Sequence, residues 1–409
     1  MSTPAQLVAD PVDATIIGLE RELDPMLRNR GPEKPFDPRL QAAVREWSKV
    51  IWDAAEALGP LVPPSCDIDE ALKLAQRPVF VCGAARSGTT LLRDLLDGHP
   101  QLAVVPTESL FYTYLDGALF GLRQERHSAY LGRRWLERLI APPPYWLLGS
   151  SAPGKSPYVT FARDFVGWWQ VPDQRRDARI ASWPIVAFAL SYAQWLGGGR
   201  LPPSAQMWVE KTPSSERFLH RIWRDFPAAK VIHIVRRPEA VLASVKAMRP
   251  HAWSRVDAVK HVVRYVAPSY RIAADGERCF PKERYHLVRY EDLAADPDAM
   301  MTRIAEFLGV EAAPSLLQPT VAGRQATNNT SFGTSRPVLH RALDPVERAL
   351  LALAVAHPAA KLGYAPSDYS SRAEHRIVGG LAQGERADAL AADGVPPHVQ
   401  PLAPSDRVG

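Results

Sequence analysis

The chain has 409 residues, 46% of them hydrophobic and 23% charged, and its 49 Lys and Arg against 44 Asp and Glu leave a formal net charge of +5. This is the composition of a globular protein with one large domain or two medium ones, and no run of five Lys or Arg supports a nucleic-acid-binding tail. The three cysteines, Cys66, Cys82 and Cys279, are odd in number and far apart, so neither a disulfide framework nor a zinc site is expected.

The segment Met1 to Asp10 has no basic residue and does not read as a signal peptide. Residues 1–75 mix helical periodicity with Pro-rich breaks. In Gln41 to Leu58, Val44, Trp47, Val50, Ile51, Ala54 and Leu58 fall at helical spacing, and we read 1–75 as an N-terminal helical accessory segment. The main domain, 76–365, opens with the apolar β run Val79 to Cys82. A Gly-containing turn leads into a helix from Thr89 to about Leu96, closed by Gly98 and Pro100. A Trp-, Tyr- and Pro-rich stretch of about 110–205 reads as a helical insert, and its residues Tyr145, Trp146, Trp168, Trp169, Trp183 and Trp195 are expected mostly in the core. Its most apolar part, Trp183 to Leu196, is interrupted by Pro184, Ser191 and Gln194 and is too short to span a bilayer. A cytoplasmic protein without an integral membrane segment is expected.

Strand patterns return at Met207 to Val209, Lys230 to Val235 and Tyr285 to Val288. Asp296-Pro297 and Asp344-Pro345-Val346-Glu347 carry the N-cap and capping-box chemistry that starts helices, and Gly309 can close the first of them. Residues 366–409 read as a loosely ordered C-terminal tail. Apolar strands alternating with helices imply an α/β fold, P-loop-like and three-layered, with a central parallel sheet flanked by helices. Ligands bind such sheets at the C-terminal ends of the strands.

Two strand-to-helix turns carry anion chemistry. Gly83-Ala84-Ala85-Arg86-Ser87-Gly88-Thr89-Thr90 has the spacing of a P-loop. Its backbone N–H groups and the following helix N-terminus suit a phosphate, with Ser87, Thr89 and Thr90 adding hydroxyl donors. Thr89 stands where triphosphate-using enzymes carry Lys, and the strand Lys230 to Val235 ends in Arg236-Arg237 rather than a Mg²⁺-holding Asp. A donor with a single 5′-phosphate suits this turn better than Mg-ATP. At the second turn, the guanidinium of Arg236 matches a phosphate bidentately and Ser244, in the next helix, adds a hydroxyl. Two separate phosphate sites imply a nucleotide phosphorylated in two places.

Arg86-Ser87-Gly88-Thr89-Thr90-Leu91 resembles the 5′-phosphosulfate-binding motif of sulfotransferases that use 3′-phosphoadenosine 5′-phosphosulfate (PAPS). Val235-Arg236 through Ser244 resembles their 3′-phosphate motif. Glu210-Lys211-Thr212-Pro213 and Arg289-Tyr290-Glu291-Asp292-Leu293 are similar to segments of the bacterial group that resembles tyrosylprotein sulfotransferases. The resemblance covers roughly residues 78–365. It implies sulfuryl transfer from PAPS, with 3′-phosphoadenosine 5′-phosphate (PAP) as the product and no metal.

The same resemblance implies site residues. Glu108 is the general base and Lys211 stabilises the bridging oxygen and leaving phosphate. Arg86 contacts phosphate or sulfuryl oxygens, with Ser87, Gly88, Thr89 and Thr90 around the 5′-phosphate and Arg236 and Ser244 on the 3′-phosphate. Tyr290 lines the adenosine, and Ser331 and Arg336 belong to a late loop closing over the 3′-phosphate. His99 and His233, the histidines nearest the motifs, rank below Glu108 as base. The acceptor is a small molecule, glycan or glycolipid offering a hydroxyl or amine, and a homo-oligomer is left open. Two other readings stand beside this one: a P-loop kinase-like enzyme, and a degenerate family member that binds nucleotide or glycan without turnover.

Overall fold

A computed structural model describes residues 11–29, 37–63, 65–141, 143–248, 253–326 and 343–364. Five short strands, β1 (Pro78–Cys82), β2 (Leu102–Val104), β3 (Met207–Lys211), β4 (Lys230–Val235) and β5 (Tyr285–Arg289), form one sheet in the order β2-β3-β1-β4-β5. Every neighbouring pair is parallel, so all five C-terminal ends open on one edge. This is the three-layer α/β architecture expected of the sequence.

Parallel strands covered on both faces need apolar side chains pointing both ways, and β1 supplies them alternately. Val79 and Val81 join Leu92, Leu95 and Leu96 of the helix Thr89–Leu96 and Met301, Ile304 and Leu308 of the helix Pro297–Leu308. Phe80 and Cys82 face the other way, toward the helices Pro38–Leu58, His127–Leu139, Pro157–Trp169 and Trp183–Leu196. The N-terminal helices and the 110–205 insert thus share one apolar cluster with a face of the sheet. The insert's aromatics fill it: Trp146, Trp168 and Trp183 are buried in the cluster, and Tyr145, Trp169 and Trp195 pack against its edge. The helix Trp183–Leu196 is core, and among the described residues no helix is long and apolar enough to cross a membrane. A third cluster joins Val241 and Leu242 of the helix Pro238–Ala247 to Tyr270, Leu351 and Val355.

Helix boundaries follow their local chemistry. Asp296 accepts the Ala299 N–H at 3.0 Å and Gly309, at φ +74°, ends that helix. Asp344 and Glu347 form a reciprocal capping box. The helix expected from Gln41 starts at Pro38, capped by Asp37. Two strands outrun their apolar patterns: β3 continues through Glu210 and Lys211, and β5 through Arg289. Glu210 and Lys211 are buried at the sheet edge because each has partners there, described below, so polarity marks the end of the pattern and not of the strand. Ser331, Arg336 and the segment 366–409 lie outside the described residues.

Candidate active site

β1 ends at Cys82, and the chain turns through Gly83 to Gly88 into the helix Thr89–Leu96. A Cβ on Gly83 would lie 2.2 Å from the Ile234 carbonyl oxygen, and one on Gly88 would lie 2.4 Å from Cδ2 of Tyr290; both residues also sit at positive φ, +138° and +103°. Only glycine meets both demands. The Gly83 N–H donates to Glu216 Oε2 at 3.0 Å, and its carbonyl accepts from the Ser214 N–H at 3.0 Å. The turn therefore starts from a clamped residue. Thr89 is buried and Thr90 exposed. Ser87 is buried, and its Oγ has no hydrogen-bond partner among the described residues.

Beside this turn, Arg236 leaves the end of β4. Its guanidinium lies over the Tyr290 ring, 4.2 Å from the centroid, and Nη1 donates to the Arg86 carbonyl at 3.3 Å. Its buried Nε lacks a partner among the described residues. Arg86 Nε donates to Ser244 Oγ at 3.0 Å. Solvent reaches Arg86, yet its guanidinium is crowded: desolvation first, and the Arg236 cation second, push its pKa below the usual arginine value. Two cations held together over orphaned donors are what a polyanionic ligand would relieve. Tyr290 packs between Arg236 and Gly88, and its neighbour Glu291 accepts from the Arg237 N–H and the Tyr364 hydroxyl, each at 2.8 Å.

On the other side of β1, the loop after β2 brings Glu108 to the end of β3. Lys211 Nζ donates to Glu108 Oε1 at 2.6 Å. The neighbouring β3 residues grip the loop as well. Glu210 Oε1 accepts from the N–H and hydroxyl of Ser109, at 3.0 and 2.7 Å, and from the Thr212 hydroxyl. Thr212 Oγ1 accepts the Leu110 N–H at 3.1 Å. The Lys211 side chain is 3% exposed. Burial pushes its pKa down, against the pull of Glu108, while burial pushes the Glu210 carboxyl up. Leu110 sits at φ +53° and opens a π-helical turn, Phe111–Leu115, a geometry often found at functional sites.

The structure thus gathers Glu108, Lys211, Arg86, Ser87, Gly88, Thr89, Thr90, Arg236, Ser244 and Tyr290 along one sheet edge. Neither histidine joins them. His99 precedes β2, where Nε2 meets the Glu311 carbonyl at 2.9 Å. His233 lies inside β4, bonded to the Tyr285 hydroxyl at 2.7 Å and Ser269 Oγ at 3.0 Å, and burial lowers its pKa to about 3. No motif singles out Arg138. It reaches Glu108 from the last turn of the helix His127–Leu139, with Nη2 3.2 Å from Oε2 and Nε 2.7 Å from the main-chain carbonyl.

Residues 78–314 match the model of the sulfotransferase family, and the chain belongs to that family. Over 267 residues it is 29% identical to the omega-hydroxy-beta-dihydromenaquinone-9 sulfotransferase Stf3 of Mycobacterium bovis, and equally to that of Mycobacterium tuberculosis. The match covers 58% of this chain and 64% of those relatives, less than two thirds of their length. Among solved structures, the sulfotransferase domain of the Synechococcus PCC 7002 olefin synthase is 23% identical, with 76% of this chain and 96% of that one covered at a TM-score of 0.40. Sulfotransferase STF9 from Mycobacterium avium is 17% identical, with 86% and 97% covered, also at 0.40.

Proposed function

We propose that this protein transfers a sulfuryl group from PAPS to a hydroxyl or amine of a small-molecule, glycan or glycolipid acceptor. One observation carries the reading. A phosphate-type turn and the Arg86–Ser244–Arg236 cluster share a sheet edge with a carboxylate, Glu108, in contact with a buried lysine, Lys211. The orphaned Ser87 Oγ and Arg236 Nε fit a ligand with two phosphate groups.

In this reading the turn's N–H groups, with Ser87, Gly88, Thr89 and Thr90, hold the 5′-phosphate. Arg236 and Ser244 take the 3′-phosphate, with Tyr290 beneath the guanidinium on the adenosine side. Ser331 and Arg336 are candidates to close over that phosphate. The donor supplies a sulfuryl group already activated on a phosphate leaving group. Glu108 takes the acceptor proton as the new bond to sulfur forms, and Lys211 and Arg86 offset the charge that develops on the sulfuryl oxygens and departing phosphate. Lys211 and Arg138 each contact one oxygen of the Glu108 carboxylate. The mycobacterial relatives are named for a lipid-like acceptor with an ω-hydroxyl, which makes hydroxylated lipids one class to test.

Calorimetric titration with PAP, with ATP-Mg as control, tests the donor site. Micromolar or tighter PAP binding, about −8 kcal/mol or better, with weak ATP-Mg binding is the expected result. A folded protein that ignores PAP would overturn the reading. PAP binding without transfer to any acceptor or to water would leave a nucleotide-binding protein and not an enzyme.

A further inference from the structure

We infer that Arg138 is a positioning residue that holds Glu108 in its working orientation from the insert helix. The inference rests on the reading of Glu108 as the base.

Three observations carry it. First, Arg138 grips both the main chain and the side chain of the same residue: Nε on the Glu108 carbonyl at 2.7 Å and Nη2 on its carboxylate at 3.2 Å. A guanidinium can make such a two-point hold, and a lysine ammonium cannot reproduce its planar fork. Second, the hold is anchored. One helical turn earlier, Trp135 Nε1 donates to the next carbonyl in the loop, that of Ser109, at 2.9 Å. The helix bearing both is seated by buried Leu131, Leu136 and Leu139. At Gly132 it approaches Trp52 so closely that a Cβ would lie 2.0 Å from the indole ring. Third, the loop is latched from its two sides by different means. From the end of β3, Glu210 and Lys211, with Thr212 just beyond, bind 108–110; from the insert, Trp135 and Arg138 bind 108 and 109.

Of these latches, Lys211 is the one the reaction needs elsewhere. A lysine drawn toward the leaving phosphate relaxes its hold on Glu108, while Arg138 has no other hydrogen bond among the described residues to give up. Arg138 also sits where it can matter. Its side chain is 27% exposed and that of Glu108 30%, against 3% for Lys211, so solvent reaches the Arg138–Glu108 contact while Lys211 is shut in. Lys211 from β3 and Arg138 from the insert helix contact Glu108, and the Arg86 cation of the phosphate turn interacts with its charge. Removing the Arg138 cation takes away part of what favours the ionised carboxylate, so its protonation reaches to higher pH than before.

The test measures ³⁵S transfer from labelled PAPS to 2-naphthol, and to water as the fallback acceptor, for the full chain and the variants Arg138→Gln, Arg138→Lys and Glu108→Gln. For Arg138→Gln we expect unchanged PAP affinity and a kcat about 10- to 100-fold lower, as a misplaced base costs. The acidic limb of its kcat/KM profile should move up by roughly half a unit to one unit. Arg138→Lys should restore the acidic limb and only part of kcat, and it also serves if the Gln variant folds poorly. Transfer abolished in Glu108→Gln, with Arg138→Gln keeping the wild-type kcat and pH profile, overturns the inference and spares the base. Full transfer in Glu108→Gln overturns the base itself, and the inference with it.

Discussion

The two halves of the site are built differently. On the proposed donor side, each segment assigned to a phosphate stands on a strand–turn–helix unit that is continuous in sequence: Gly83 to Thr90 after β1, and Arg236 to Ser244 after β4. On the base side, the contact between Glu108 and Lys211 joins residues 103 positions apart, and that between Glu108 and Arg138 joins residues 30 apart. Each donor-side segment is thus local, set by glycines, hydroxyls and helix N-termini, and the sheet then brings the two together, with Arg86 on Ser244 and Arg236 on Arg86. The base half is a property of how the insert closes back on the sheet. Donor binding and transfer should therefore be separable by mutation.

The largest expected effect falls on the base side. Glu108→Gln should lower transfer by about 10²- to 10⁴-fold with PAP affinity unchanged within twofold; a matching loss of PAP affinity would dissolve the distinction between the halves. Next comes a test of what lies beneath the donor turn. His233, whose Cδ2 is 3.5 Å from where a Gly83 Cβ would be, is buried with its pKa lowered to about 3 from 6.5. The unfolded chain then binds the proton first, so His233 costs stability as pH falls from about 6.5 toward about 3, by up to several kcal/mol, roughly. Denaturation midpoints across that window should be flatter for His233→Asn than for the wild type, and a parallel pair of curves would contradict the buried neutral ring.

Arg236→Ala should weaken PAP by about 1.5–3 kcal/mol, the range for a charge-assisted bond, measured by calorimetry. If turnover at saturating donor falls just as far, Arg236 acts in the transition state and the halves are not independent. Ser244→Ala, losing one neutral donor, should weaken PAP by only about 0.5–1.5 kcal/mol. A larger loss would mean that the hydroxyl's main role is to hold Arg86, which it contacts at 3.0 Å.

The same division explains what the sequence disclosed. The strands at 78–82 and 230–235, the helix from Thr89, and the caps at Asp296 and Asp344 were legible because apolar runs, glycines and capping side chains act within a few residues. Glu108 and Lys211 could be named, but their direct contact could not, since nothing local encodes a partner 103 residues away. Arg138 stands among Arg133, Arg134 and Glu137 on one helix, and no pattern separates the arginine that reaches the site from its neighbours. The end of β3 was misjudged for a related reason. Glu210 and Lys211 look like turn residues until Ser109, Thr212 and Glu108 arrive to pair with them.

The 103-residue separation of Glu108 and Lys211 also bears on how the molecule assembles. Bringing two points of a flexible chain together across about 100 residues costs on the order of 4 kcal/mol in loop-closure entropy before any contact compensates, and such non-local pairings slow folding. β3 lies between β2 and β1 in the sheet but follows both in the chain, so a ribosome must release the whole insert before the slot for Lys211 can be filled. The contact between Glu108 and Lys211 is therefore among the late products of folding, and so is the turn after β1, whose first residue is clamped by Ser214 and Glu216 from beyond β3.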